Sequence, residues 1–281
     1  MSWDSYPVLR RLNTKALGRM SLVIPFMLPM FQFSGVQAET IPARPAVVRG
    51  NVWHLRETLT SGVADVVFSY GRVSDRFLMG DWDGDGIKTP GVVRGNTWYL
   101  RNSNSSGFAD VTFAYGSSGD IPIAGDWDGD GTDTIGVVRP DSLPCGNIDG
   151  CSRSSWHLRN ANSSGSADLA FTFSFPGVPV VGDWDGDGDD TPGVRLNGLN
   201  TWQLSNDNEN SPAADVTLKY GSPGDIPVAG DWNGDESESV GVFRGGIWFL
   251  RDSNSSGQSD SSFKYGSSPD ETILVWGDNS A

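Results

Sequence analysis

Four short loops carry acidic residues at alternate positions, a spacing typical of cation-binding turns. A glycine follows the last acid in the first three loops, whereas Glu236 follows it in the fourth. Like charges this close raise one another's pKa values unless a cation neutralises them. Oxygen ligands on a flexible turn suit Ca²⁺ better than Mg²⁺, and no His or Cys is near enough for zinc. We therefore expect three or four Ca²⁺ ions, with ion-free polar turns as the alternative. The metal-ligating positions are Asp81, Asp83 and Asp85; Asp126, Asp128 and Asp130; Asp183, Asp185 and Asp187; and Asp231, Asn233 and Asp235.

The loops belong to a longer repeat. The aspartate of a Gly-Asp-Trp motif recurs at 81, 126, 183 and 231, and the terminal VWGDN aligns Asp278 with them. Each interval holds four short runs rich in Val, Ile, Thr, Tyr, Phe and Trp, separated by turns such as Asn-Ser-Ser-Gly. The intervals between these aspartates are 45, 57 and 48 residues. A four-stranded unit of about this length, repeated in tandem, predicts the blades of a β-propeller.

The two ends of the repeat region complement each other. ARPAVVRGNVWHLR near the start matches the second and third runs of a unit, and TILVWGDN at the end matches the missing first run. Pairing of these segments would complete a fifth blade and close the ring. We predict an all-β domain over residues 39–281, a propeller of five four-stranded blades, with an open β-solenoid as the alternative. The fifth blade's own loop would be split between the chain ends and should hold no ion.

The first 38 residues have the pattern of a secretory signal peptide, with an uncleaved anchor as the alternative. Basic residues precede a short apolar run over 20–33, and Val36-Gln37-Ala38 offers small residues for cleavage. Removing this segment changes the formal net charge from −15 to about −18, because it takes away one acid and four bases. We expect a secreted or cell-envelope monomer with no membrane span in the mature chain and no nucleic-acid partner.

Several residue types form columns when the repeats are aligned. The first column, of tryptophans, predicts core between blades, with a sugar-stacking platform as the alternative. Two columns of arginines predict pairing with acids rather than a phosphate clamp. The two histidines, His54 and His157, alternate with Tyr, Gln and Phe, so we assign them no catalytic role. The tryptophans are Trp53, Trp98, Trp156, Trp202 and Trp248, and the arginines are Arg49, Arg94, Arg139, Arg195 and Arg244, then Arg56, Arg101, Arg159 and Arg251.

One unit is longer than the others because it contains the insertion Pro140 to Ser155. We predict that this irregular segment shapes a partner site. Its two cysteines, Cys145 and Cys151, would form a local disulfide in an oxidising compartment or remain free thiols.

The stretch YGSSGDIPIAGDWDGDGTDTIGVVRP resembles the FG-GAP repeat of integrin α-subunit propellers and of VCBS-type bacterial exported proteins. The resemblance covers about residues 45 to 278 and implies calcium binding by the loop. At the ninth loop position the family has Asp, whereas this chain has a hydroxyl residue: Thr89, Thr134, Thr191 or Ser239. A hydroxyl is a weaker ligand, so water or a backbone carbonyl would complete the shell.

Near-identical repeats favour binding over catalysis, because catalysis needs groups in distinct roles. We expect a non-enzymatic, calcium-stabilised module that binds an extracellular protein or glycan ligand in adhesion or recognition. A propeller-fold glycosidase or lyase and a purely structural envelope component are the alternatives. Asn104, Asn162 and Asn254 lie in glycosylation sequons, but turn formation explains their shared Asn-Ser-Ser-Gly context first.

Overall fold

The computed structural model describes residues 42–140, 154–173, 175–208, 213–267 and 271–277. These residues form twenty strands and no helix, so no helix that could span a membrane occurs among them. The strands make five four-stranded antiparallel sheets, arranged as the blades of a β-propeller. The prediction of an all-β, five-bladed propeller is confirmed. The expected signal segment, residues 1–38, lies outside the described residues.

The strands follow one another blade by blade. Blade 1 contains β1 (Arg44–Arg49), β2 (Val52–Leu55) and β3 (Val66–Ser69). Blade 2 contains β4 (Arg76–Gly80), β5 (Thr89–Arg94), β6 (Thr97–Leu100) and β7 (Val111–Ala114). Blade 3 contains β8 (Ile121–Gly125), β9 (Thr134–Pro140), β10 (Ser154–Leu158) and β11 (Leu169–Phe173). Blade 4 contains β12 (Gly177–Gly182), β13 (Thr191–Leu196), β14 (Thr201–Leu204) and β15 (Val216–Lys219). Blade 5 contains β16 (Ile226–Gly230), β17 (Ser239–Arg244), β18 (Ile247–Leu250) and β19 (Ser261–Lys264), and β20 (Glu271–Trp276) returns to blade 1.

Blade 1 is completed from both ends of the repeat region, as predicted. Strand β20 pairs antiparallel with β1, from Trp276 opposite Arg44 to Glu271 opposite Arg49. In blades 2 to 5 a glycine stands where blade 1 has Trp276. Gly277, not Asp278, therefore takes the position of the loop aspartate, one residue away from the alignment by motif. Asp278 itself lies outside the described residues.

The tryptophan column forms the centre of the blades. All five side chains are fully buried. Four of them stack on a phenylalanine of the outer strand, as Trp53 does on Phe68 with ring centroids 5.9 Å apart. In four blades the indole N–H donates to the carbonyl of the residue after that strand, as from Trp53 to Tyr70 at 3.0 Å. The prediction of core is confirmed, and the sugar-stacking alternative is wrong because no ring face is accessible.

Adjacent blades are connected along their outer edges. The last backbone N–H of an outer strand donates to a serine in the long loop of the next blade, as from Lys264 to Ser61 Oγ at 3.0 Å. The same bond joins three further pairs of blades. An exposed edge strand can pair with other chains, so this contact also protects the edge.

The first arginine column braces each blade where the first and second strands meet. Arg94, Arg139 and Arg244 each donate two hydrogen bonds to one aspartate before the first strand. Arg49 pairs with Glu271. For these four the predicted pairing with acids is confirmed. For Arg195 it is wrong: this residue stands opposite Val178 and Trp202, the place that Val93 has in blade 2, and Leu196 takes the place of the arginine. The buried Arg195 guanidinium donates to the carbonyls of Ser222 and Asp225 instead.

Candidate metal centres

The four acidic loops lie on one face of the ring, because each connects the first strand of a blade to its second. The first aspartate of each loop directly follows the first strand and is buried. The remaining loop acids become more exposed as the chain turns outward. The repeat thus places four similar turns at equivalent positions around the ring.

The first aspartate organises its loop by accepting backbone hydrogen bonds. Asp81 Oδ1 accepts the N–H groups of Gly84 at 2.8 Å and Asp85 at 3.1 Å, and its Oδ2 accepts that of Gly86 at 2.6 Å. Both glycines have positive φ, 71° and 81°, which only glycine adopts readily. Asp126 and Asp183 accept corresponding bonds. The carboxylate therefore fixes the turn that brings the other acids back towards it.

In three loops this turn brings three carboxylates together. Within each loop, one oxygen of each of the three aspartates lies within 4.8 Å of the others. Ca²⁺–oxygen distances of about 2.3–2.6 Å allow ligands on opposite sides of the ion to lie about 5 Å apart. The donor set and its spread therefore fit a hard dication, and the three clusters are those predicted from the sequence.

The electrostatics of these loops also favour a cation. Burial raises the pKa of Asp81 and Asp183, and the charges of Asp85 and Asp187 raise it further, although the backbone N–H groups oppose the shift. Burial and the neighbouring acids likewise raise the pKa of Asp185. The charged form is thus disfavoured in the folded protein, and a bound cation would relieve that cost.

The third loop has an extra acid at its seventh position. Burial, followed by a side-chain hydrogen bond with Asp187, raises the pKa of Asp189 to about 7. The same bond lowers the pKa of Asp187. This loop carries more acids than the other three, so its carboxylates gain the most from a cation.

The fourth loop differs from the others in two ways. Asn233 replaces the middle acid, and its Nδ2 donates to Asp235 Oδ2 at 2.9 Å. Glu236 stands in place of glycine and has a φ of 68°, a strained value for a residue with a side chain. In this loop the Asn233 amide therefore offsets part of the charge of Asp235, as a cation would offset the charge of the acids in the other loops.

The hydroxyl residues at the ninth position are buried at the start of the second strand. Thr89 donates to the carbonyl of Gly80 at 3.3 Å, and Thr191 donates to the carbonyl of Ser205 at 2.7 Å. Ser239 donates to the carbonyl of Arg251 at 2.6 Å. These hydroxyl protons therefore hold the start of the second strand to neighbouring backbone carbonyls.

The eighth position connects neighbouring blades, a role that the sequence analysis missed. Asp133 Oδ2 accepts the N–H of Asp81 at 2.7 Å, and the Asp133 N–H donates to the Asp81 carbonyl at 2.8 Å. Asp190 makes the same two bonds with Asp126. The backbone bond recurs from Glu238 to Asp183 and from Ala43 to Asp231. Each acidic loop is therefore joined to the next blade through its first aspartate.

The asparagines of the Asn-Ser-Ser-Gly turns support the acidic loops from the outside. The amide of Asn162 donates to the carbonyl of Asp133 at 2.9 Å, and that of Asn254 donates to the carbonyl of Glu238 at 2.8 Å. Asn104 makes the equivalent bond to Lys88. These contacts agree with the turn interpretation of the three sequons.

The predicted disulfide and the partner site at the insertion fall outside the described residues. Residues 141–153, which include Cys145, Cys151 and most of the insertion, are not among the described residues. Comparisons of this chain with protein-family models, with curated proteins and with solved structures find no significant match.

Proposed function

We propose that the protein is an exported, calcium-stabilised β-propeller that acts as a non-enzymatic ligand-binding or adhesion module. The observation that carries the calcium part is the convergence of three carboxylates in each of three loops on one face. We assign one Ca²⁺ ion to each of these loops, with Asp81, Asp126 and Asp183 as the inner ligands. The fourth loop, with its amide and its strained Glu236, is assigned no ion.

Calcium would stiffen this face because each loop is joined to its neighbour. The inner aspartates exchange hydrogen bonds with the eighth-position residue of the next blade. An ion that fixes the aspartate therefore also fixes the boundary between two blades. The proposed role of the metal is structural, since the loops would present a rigid surface to an extracellular protein or glycan.

Two arguments support binding over catalysis. The loop sequence resembles repeats found in exported and cell-surface proteins. In addition, the acids next to the first arginine column are engaged in bidentate pairs, and the loop acids fit a cation. Such repeated structural roles leave few acids for the distinct roles of an acid and base pair.

Ion counting tests the calcium part. The purified protein is titrated with Ca²⁺ by calorimetry, and its melting temperature Tm is measured with excess Ca²⁺ and with chelator. We expect three ions per chain. A site at 100 times its Kd adds about 2.7 kcal/mol to the free energy of unfolding, which corresponds to about 5–10 °C in Tm for a domain of this size.

Terbium luminescence supplies a second readout, because a tryptophan follows the first aspartate of each loop: Trp82, Trp127 and Trp184. Bound Tb³⁺ should be sensitised by these rings, and Ca²⁺ should displace it. If no ion binds and Tm does not change with Ca²⁺, the loops are polar turns without an ion. Glycan-array and pull-down binding of the calcium-loaded protein tests the binding part, and turnover in a glycan substrate screen would contradict the non-enzymatic assignment.

A further inference from the structure

The boundary between blades 5 and 1 contains a cleft unlike its equivalent between blades 4 and 5. It encloses about 620 Å³ and is lined by residues that include Arg49, His54, Ser61, Val67 and Lys264. The equivalent cleft between blades 4 and 5 encloses about 300 Å³ and has neither a lysine nor a histidine in its lining. We propose that the larger cleft, called cleft 5/1 below, binds a small carboxylate with a compact apolar body.

Arg49 is more available to a ligand than its counterparts. In blades 2, 3 and 5 the equivalent arginine uses both Nε and Nη2 on a single aspartate. Blade 1 has the longer Glu271, which Arg49 contacts through Nε at 2.5 Å. Among the described residues the Nη atoms of Arg49 have no hydrogen-bond partner. These N–H groups can therefore bind a carboxylate oxygen.

No aromatic ring covers this guanidinium. Arg94 lies 4.9 Å from the ring centroid of Tyr99, and Arg244 lies 5.1 Å from that of Phe249. In blade 1 the corresponding residue is His54, and in blade 3 it is His157. The imidazole of His157 already contacts Ser155 Oγ at 3.2 Å. Cleft 5/1 thus combines an uncovered arginine with an imidazole for which no hydrogen bond is found in the described part of the chain.

Further donors line the same cleft. Lys264 is exposed, and its ammonium group has no ion pair or hydrogen bond within the described ranges. Ser61 accepts the Lys264 backbone N–H, which leaves its own hydroxyl proton for another acceptor. Tyr265 is only 5% exposed, and its hydroxyl has no partner among the described residues, a property shared with Tyr220 in the smaller cleft. Because both clefts have it, the donors that set cleft 5/1 apart are the lysine and the arginine Nη groups.

The opposite wall of the cleft is apolar. Val63 is 82% exposed and Val67 is 56% exposed, and Ala64 lies between them in the lining. Because Glu271 offsets the charge of Arg49, Lys264 gives the cleft a net positive charge in a chain whose formal net charge is −15. Burial, followed by the charge of Arg49, lowers the pKa of His54, so this group adds a polar contact without a third charge. A single carboxylate on an apolar body matches these groups.

The test uses benzoate as the probe, benzyl alcohol as its neutral counterpart and glucuronate as a carboxylate with a polar body. Calorimetry on the full chain at low ionic strength should show one benzoate per chain, bound at least about tenfold more tightly than benzyl alcohol or glucuronate. Arg49→Gln and Lys264→Gln should each weaken benzoate binding by about tenfold. Arg244→Gln, the matched change in the smaller cleft, should leave it unchanged.

The Lys264 variant is the second test, because its side chain is exposed and has no ion pair or hydrogen bond with the described residues, so this change should not disturb the fold. Titrations with Ca²⁺ and with chelator separate this proposal from that of the calcium loops. No benzoate binding to the unmodified chain would overturn the proposal, as would equal loss on Arg244→Gln. If glucuronate bound as tightly as benzoate, the proposal that the ligand has an apolar body would be wrong.

Discussion

At the scale of single residues, the middle acid of each loop is where an ion site and a simple turn differ most clearly. Asp83 is exposed, and its side chain accepts no hydrogen bond from the described residues. It contributes charge near Asp81 and Asp85 but no contact that holds the turn. Its carboxylate therefore lowers the stability of the folded protein when no cation is bound and raises it when a cation is bound.

Replacing Asp83 with asparagine should change stability in opposite directions under two conditions. With chelator, the variant should be as stable as the unmodified protein or more stable by a few tenths of a kcal/mol, because a like charge is removed. With saturating Ca²⁺ it should be less stable, by about 1.4 kcal/mol for each tenfold loss of affinity. Urea unfolding under both conditions measures this difference.

Asp81→Asn is the matched control, because Asp81 accepts three backbone N–H groups and should lose stability under both conditions. An equal effect of Asp83→Asn with and without Ca²⁺ would argue against an ion at this loop.

The residue types of the loops could be predicted from the sequence, but their connections could not. The alternate spacing of Asp81, Asp83 and Asp85 indicates a cluster because the turn is local. Asp133, by contrast, contacts Asp81 across a blade boundary, 52 positions away. No local pattern encodes that contact.

At the scale of strands, the arginine–aspartate pairs should make stability depend on acid pH. Burial alone would raise the pKa of Asp225, but hydrogen bonds from Arg244 and from the Ser222 N–H lower it overall. A carboxyl group with a lowered pKa stabilises the fold above its unfolded value, near 4, and this contribution is lost as pH falls through the folded pKa.

Asp225→Asn should therefore lower the free energy of unfolding by about 1–2 kcal/mol at pH 7. The difference in unfolding free energy between the variant and the unmodified protein should shrink below pH 4. It should vanish at a pH low enough to protonate Asp225 in both the folded and the unfolded chain. Denaturant unfolding in chelator between pH 2.5 and 7 measures it. Glu57→Gln, at an exposed acid whose side chain has no partner in the described residues, should show no such dependence, and a constant difference for Asp225→Asn across this range would contradict the pairing.

The divergent strand pair of blade 4 shows why one arginine was misjudged. The column alone predicts that Arg195 pairs with an acid, as its four counterparts do. Blade 4 reads TPGVR where blade 2 reads TPGVVR, so Arg195 stands one residue earlier in its strand, at the buried place of Val93. Its guanidinium therefore bonds to backbone carbonyls of blade 5. A shift of one residue moves a strand side chain to the opposite face, so aligning this arginine by its residue type placed it wrongly.

At the scale of the whole molecule, ring closure depends on a single strand. β20 pairs with all six residues of β1, and Trp276 is buried against blade 1. Removing residues from 271 onward should therefore cost at least about 4 kcal/mol, the scale of losing one buried tryptophan, and lower Tm by about 8–16 °C. Differential scanning calorimetry measures the change.

A peptide spanning residues 267–278 provides the control for that truncation. If strand addition restores the blade, Tm should rise with peptide concentration. The same peptide with Trp276→Ala should be less effective. A truncated protein as stable as the full chain would show that the ring does not require this strand.

The architecture was largely predictable because the complementary chain ends already indicated closure, and the four runs of each unit predicted its strands. The register of β20 was not predictable to the residue. Trp276 occupies the position of a glycine in the other blades, and its ring packs within blade 1, so packing overrides the motif that aligns Asp278.

The late arrival of β20 also sets a waiting time during synthesis. Arg49 and Glu271, which pair in the finished ring, are 222 positions apart along the chain. At about 5–20 residues per second, β1 remains without this neighbour for roughly 10–45 s after it is made. Throughout that interval one side of β1 offers unpaired backbone groups to any other nascent chain. The step most exposed to misassembly is therefore the last one, when the newest strand must find the oldest.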